Sequence, residues 1–369
     1  MEEKSRRLGT TLNYQIIDLF EIAESCKDFC EFENKKEEYF KTVKEPINGI
    51  EKVSFLEIMN IKSNIVERCK LITPEGEGKL KFLLKENGEN LFDGDKFVKK
   101  DIFNFEYLDK VINFAKKNNM KVRFHTVVWH ESFPDILNSA NKKQTLSFLG
   151  AFMDEIVSRY GEEIFYSVDV LNEIAADKDT VPTLRDSKWK DKLGDEYFID
   201  VLNLAREKFP NTNLAYNEYD EWDEKKREKM IRIISIIKEH EKKTGKKLLD
   251  SIGLQNHYID KLSLESIREG YKKLYATGKK VEVTELDIIK TGKSEEEFKN
   301  FISNILKSAK SSEVENFTFW GPSSNVSWKR GEVSTFLDGR GNLEESMIEI
   351  VNEYAKKEKC INGDEDEGR

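Results

Sequence analysis

The chain has 369 residues, 38% of them hydrophobic and 36% charged, with a formal net charge of −9. That apolar content supports one large core, and the interspersed charges of both signs describe a solvated surface. The negative balance, with no concentrated basic patch, argues against a nucleic-acid partner, because phosphate binding needs clustered positive charge. The N-terminal run Met1-Glu2-Glu3-Lys4-Ser5-Arg6-Arg7 leads into no apolar stretch long enough for a signal peptide or membrane span. No membrane association is expected, and the expected compartment is the cytoplasm, or the exterior if a signal has been removed.

A first strand is expected at Leu8–Leu12. The acidic, lysine-rich stretch from about 14 to 52 breaks the pattern. It reads as an insertion after that strand, partly helical, lying over the top or side of the fold. Further strands follow at Cys69–Thr73, Lys121–Val128, Phe165–Leu171, Asn213–Tyr216, Ser251–Gln255, Lys280–Thr284 and Asn316–Trp320. Between them lie helical patterns at Glu106–Asn118, Thr145–Tyr160, Glu224–Lys243 and Glu296–Ala309, with Glu344–Tyr354 closing the series. Cys26, Cys30, Cys69 and Cys360 form no paired metal-ligand spacing and read as reduced thiols. Neither a metal nor a cofactor is expected.

Short β-branched runs alternating with longer helical patterns imply an α/β fold, a (β/α)8 TIM barrel in a single domain spanning 1–358. Residues 359–369, rich in Gly and acid, read as a disordered tail. A doubly wound open sheet competes, but Gly9-Thr10-Thr11-Leu12-Asn13 lacks the Gly-rich turn of that architecture.

Function in such a barrel collects at the C-terminal ends of the strands. The fourth strand runs into Asn172-Glu173 and the seventh into Glu285-Leu286-Asp287. The third ends near His125, Trp129 and His130, the sixth at Gln255, Asn256 and His257, and the eighth at Trp320, with Trp328 beyond. Two carboxylates, amide and imidazole groups and several indoles at one end of one barrel suit glycosidic-bond cleavage. The carboxylates supply nucleophile and proton, the polar groups bind hydroxyls, and the indoles stack on the C–H faces of sugar rings.

These residues resemble glycoside hydrolase family 10, the endo-β-1,4-xylanases. Phe124-His125-Thr126-Val127-Val128-Trp129-His130 resembles the family's G-H-T-L-V-W-H, Asp169-Val170-Leu171-Asn172-Glu173 its D-V-V-N-E, and Tyr216-Asn217-Glu218-Tyr219 its I-N-D-Y. Gly253-Leu254-Gln255-Asn256-His257 resembles G-L-Q-S-H, Thr284-Glu285-Leu286-Asp287 resembles T-E-L-D, and Phe319-Trp320-Gly321 with Ser327-Trp328 resembles W-G…S-W. The resemblance implies a retaining endo-β-1,4-glycanase of the xylanase type acting on β-1,4-linked polysaccharide or oligosaccharide. Glu173 would be the acid/base and Glu285 the nucleophile. Asn172 would bind the 2-hydroxyl, His257 would hold Glu285 ionised, Asp287 would orient His257, and Gln255 would reach Glu173. Glu75, Lys79, His125, Trp129 and Tyr219 would contact sugar, with Trp320 and Trp328 as a roof.

The chain also departs from the family. Thr73-Pro74-Glu75-Gly76-Glu77-Gly78-Lys79-Leu80 resembles T-P-E-N-E-M-K-W, but Gly76 stands where the family has a sugar-binding Asn and Leu80 where it has Trp. These positions serve the glycone side, so another β-linked sugar, a short oligosaccharide or a decorated chain is an alternative substrate. A barrel that binds glycan or protein without turnover is a second reading, from which a catalytic carboxylate would be missing. A metal-dependent hydrolase is a third, and four histidines in the whole chain leave it short of ligands.

Overall fold

Strands covered by helices on one face and closed into a barrel on the other are buried on both, and the chain's β-branched runs are spaced between helical patterns as such a fold requires. In the computed structural model, which describes residues 6–85 and 90–355, eight such runs form β1 (Arg7–Leu12), β2 (Leu71–Pro74), β3 (Lys121–Trp129), β4 (Phe165–Asn172), β5 (Asn213–Glu218), β6 (Ser251–Leu254), β7 (Lys280–Ile289) and β8 (Asn316–Phe319). Consecutive strands pair in parallel, and β8 returns to β1 through the register Arg7↔Asn316 to Thr10↔Phe319. The sheet is therefore a closed (β/α)8 barrel without a free edge. Cys360 and the tail expected at 359–369 lie outside the described residues.

Helices alternate with the strands. After β2 comes the helix at Glu106–Lys117, whose Leu108, Val111, Ile112 and Ala115 form one buried stripe. The helix at Lys142–Tyr160 begins at a capping box in which Asn141 and Gln144 satisfy each other's backbone donors, and the helix at Glu295–Ser311 does the same with Ser294 and Glu297. The helices Phe55–Arg68, Tyr197–Lys208, Glu224–Thr244, Leu264–Tyr275 and Ile348–Tyr354 complete the alternation. The first is hard to see in the sequence because Leu56 and Val66, exposed to solvent, blur its Ile58–Ile61–Ile65 stripe.

The segment after β1 folds as α1 (Tyr14–Glu24), α2 (Phe29–Thr42) and a 3-10 stretch at Ile47–Lys52. In α1, Ile16, Ile17, Leu19 and Phe20 join the main core, and the helix packs against the Glu106–Lys117 and Phe55–Arg68 helices. The charge that marks this region sits mostly on α2. The 3-10 stretch reaches a 3-10 turn at Ser324–Val326, beyond the C-terminal end of β8.

Strand pairing slips between His125 and Val128 on β3, between Asp169 and Leu171 on β4, and between Val283 and Leu286 on β7. Irregularities of this kind re-aim side chains at barrel rims, and each of these lies beside the residues described next.

Candidate active site

The barrel interior beneath the mouth is ionic. Arg123 of β3 donates through Nε to Asp169 Oδ2 at 3.1 Å and through Nη1 to Ser167 Oγ at 3.2 Å, and it also pairs with Glu282 of β7. All three charged groups are buried, and the arrangement is tolerable because Arg123 pairs with both carboxylates while Asn213 Nδ2 donates to Glu282 Oε1 at 2.6 Å. Asp169 Oδ2 also lies 2.9 Å from His125 Nδ1, which fixes that ring from below.

Glu173 follows β4 with φ of 55°, a left-handed conformation that a non-glycine residue adopts only when its surroundings hold it. Its N–H donates to the Asn217 carbonyl at 2.9 Å, and its own carbonyl accepts from Arg185 Nε at 3.0 Å. The carboxylate accepts from Trp129 Nε1 at 2.7 Å and from Gln255 Nε2 at 3.0 Å. His130 Nδ1 stands 3.7 Å away, and burial, then the Arg185 charge, keeps that imidazole below the ordinary histidine range. The loop carrying Arg185 is tied down by its bidentate pair with Asp177 and its contact with Tyr219.

Glu285 lies inside β7 rather than at its end and is only 4% exposed. It accepts from Asn217 Nδ2 at 2.6 Å and contacts His257 Nε2 at 3.2 Å. Burial alone would raise its proton affinity. The His257 contact, the nearby His125 and the Asn217 amide outweigh burial and hold Glu285 down to about 2. His257 shows the converse balance. Burial pulls it down, but Asp287 Oδ1 at 3.0 Å and Glu285 push it up to about 10. At neutral pH the row reads carboxylate, imidazolium, carboxylate. Trp328 Nε1 closes it by donating to Asp287 Oδ2 at 2.6 Å, although the indole is 47% exposed.

Asn217 joins the two carboxylate settings. Besides Glu285, its Nδ2 donates to Asn172 Oδ1 at 2.9 Å, and its Oδ1 accepts from Thr284 Oγ1 at 2.7 Å. This packing needs Gly253, because a Cβ there would lie 2.3 Å from Asn217 Oδ1. Asn172 Nδ2 is buried and has no partner among the described residues. An unpaired buried donor is costly, so a donor held open beside two carboxylates is suited to an incoming hydroxyl.

Lys79 Nζ sits 4.8 Å from the Trp129 ring centre and 5.7 Å from that of Trp320, and Trp320 meets His125 and His257 edge-on. Glu75 lies farther along the rim, where it accepts from Asn13 Nδ2 at 2.9 Å and Asn48 Nδ2 at 2.8 Å. Leu80, expected on the glycone side, is instead fully buried in the core. The space in front of Gly76 is open.

Asn217 stands in the Tyr216–Tyr219 motif, where the sequence assigns it no role, and no sequence pattern singles out Arg185, Asp177 or the Arg123 network. The alignment of β5 between β4 and β6 was the signal for Asn217. The others act through tertiary contacts that no local spacing announces. Among the described residues no group of three or more His, Cys, Asp or Glu is placed to hold a metal ion, and no helix is long and apolar enough to cross a membrane.

The sequence model of glycosyl hydrolase family 10 matches residues 33–353. Endo-1,4-beta-xylanase A of Thermotoga neapolitana is 32% identical over 249 residues, which cover 62% of this chain and 23% of that protein. Endo-1,4-beta-xylanase B of Paenibacillus barcinonensis is 28% identical over 249 residues, 61% of this chain and 73% of that protein. The chain thus spans about a quarter of the length of the Thermotoga relative. A solved mutant structure in complex with xylotriose superposes with a TM-score of 0.71 at 22% identity, covering 95% of this chain and 97% of that one, a likeness of fold.

Proposed function

The chain belongs to glycosyl hydrolase family 10, and from that premise we propose that it is a retaining endo-β-1,4-xylanase acting on β-1,4-xylan or xylo-oligosaccharides, with 1–358 as one catalytic domain. The observation that carries this reading is the contrast between two carboxylates linked through Asn217. Glu285 is buried and held ionised by His257 and Asn217. Glu173 accepts hydrogen bonds, among the described residues, from the neutral donors Trp129 and Gln255.

Glu285 attacks the anomeric carbon and forms a covalent glycosyl-enzyme while Glu173 protonates the departing glycosidic oxygen. Glu173 then takes a proton from water, which displaces Glu285. The open Asn172 Nδ2 donates to the 2-hydroxyl of the reacting sugar, and His257, kept in place by Asp287, balances the charge that leaves and returns to Glu285. Trp129 and Gln255 aim Glu173, and Lys79, His125, Trp320 and Trp328 bound the reacting sugar. Tyr219, through Asp177 and Arg185, shapes the loop on the leaving-group side. The open space at Gly76 favours, within this reading, substrates gripped weakly there, such as short or decorated oligosaccharides.

The test is the anomer released first. Proton NMR of xylotetraose hydrolysis should show the β-anomer forming before mutarotation. An α-anomer formed first overturns the retaining assignment, and turnover of cello-oligosaccharides in preference to xylo-oligosaccharides overturns the sugar.

A further inference from the structure

Asn48 belongs to the segment inserted after β1, yet its side chain reaches the mouth of the barrel. Its Nδ2 donates to Glu75 Oε1 at 2.8 Å and, at 3.4 Å, to the carbonyl of Val326. Its Oδ1 has no partner among the described residues. Asn48 has φ of 52°, in the left-handed region where Asn is among the few tolerated side chains. The next residue, Gly49, lies so close to Arg330 that a Cβ would come within 2.3 Å of Nη1. The turn is therefore seated on the loop that carries Trp328 and bonded to the loop after β2, and it bridges the rim between β8 and β2. Gly76, next to Glu75, leaves open space, with no atom within 4 Å of where a side chain would begin.

We propose that Asn48 is a specificity-determining residue of the glycone side, supplying from the insertion the amide that Gly76 does not. Its free Oδ1 accepts a hydroxyl of the sugar next to the reacting one, while its Nδ2 aims Glu75 at the same sugar. The proposal rests on the xylanase reading above. Among the described residues Glu75 is bonded to Asn13 and Asn48 at the rim, apart from the network that holds Glu285, and the contact is assigned on that ground to the neighbouring sugar.

The test compares an aryl β-xylobioside, which places two sugars on the glycone side, with an aryl β-xyloside, which places one. Asn48→Gly removes the amide and suits the left-handed backbone. The ratio of kcat/KM for xylobioside over xyloside should fall about three- to tenfold, the equivalent of one net hydrogen bond. Asn48→Asp, which also tolerates that backbone, sets a carboxylate against Glu75 and should lower the ratio further. Gly76→Asn should raise the ratio more in the Asn48→Gly background than in the wild type, because the two amides serve one sugar. A purely structural role would not produce that non-additivity. An unchanged ratio in both Asn48 variants, or strictly additive effects with Gly76→Asn, overturns the inference while leaving the xylanase reading intact. Wild-type protein that cleaves neither glycoside overturns both.

Discussion

The charge row Glu285–His257–Asp287 makes a prediction that can be read at one atom. Asp287→Asn keeps the shape of the side chain and removes its charge. His257 is carried from an ordinary value of 6.5 up to about 10 against the opposing effect of burial. At 1.36 kcal/mol per pH unit that is about 4–5 kcal/mol of net attraction to two carboxylates. Asp287 is the larger contributor, so its neutralisation should remove about half, and His257 should lose its proton about 1–2 pH units lower. The sign follows from the raised folded value. This stabilisation is fully present below pH 6.5 and is lost as pH rises through about 10. In the variant the stabilisation should be smaller, and its loss should be complete at a correspondingly lower pH. With four histidines in the chain, the imidazole Cε1–H correlations are few enough to follow individually by NMR. Wild-type His257 should show no titration between pH 5 and 8, and the variant should begin to titrate below pH 9. Urea unfolding at pH 6 and pH 9.5 gives the matching stability change. The reasoning is refuted if wild-type His257 titrates near 6.5, or if the variant's curve overlays that of the wild type.

Other consequences can be measured directly. Glu173→Ala should retain a fast first step on dinitrophenyl β-xylobioside and then stall, and azide should restore turnover with a β-glycosyl azide as product. Glu285→Ala should be inactive on every substrate, and rescue of that variant as an α-glycosyl azide would exchange the two roles. Asn172→Ala, which removes the open donor, should lower kcat/KM about 10- to 100-fold with the loss mainly in kcat, since the contact strengthens in the transition state. Gly78→Ala would set a Cβ 2.3 Å from the His125 carbonyl oxygen and should cost about 1–3 kcal/mol in urea unfolding. An unfolding midpoint equal to that of the wild type would show that the β2 and β3 rims do not meet so closely.

The barrel was legible because its strands carry their own signature. β3, β4 and β7 are short β-branched runs spaced between helical patterns, and the pairing of each slips beside a polar residue near the mouth. The spacing of those runs placed Glu173 and Glu285 at the mouth from sequence alone. The helices were less legible where the charge density is high. α1 contains as core-facing a stripe as any, but it is followed by the lysine-rich α2, and the pair reads together as a solvated insertion. Leu80 was misplaced for a related reason. Its position in a motif indicated the cleft, whereas a leucine in a 3-10 turn beneath the rim gains more by burial than by facing water.

What the sequence could not announce is the polar scaffolding between strands. Arg123, Asp169 and Glu282 look like three scattered charges along the chain, and an isolated charge in a strand argues against burial. Only barrel closure brings β3, β4 and β7 around one interior, where one guanidinium pairs with two carboxylates and His125 acquires its support. Asn217 illustrates the same point at the mouth. Its side chain has meaning only because β5 lies between Asn172 on one side and Gly253 on the other, within reach of Glu285. The carboxylates declare the chemistry by their identity. The residues that hold Glu285 ionised do so by position, and that position is a property of the closed sheet.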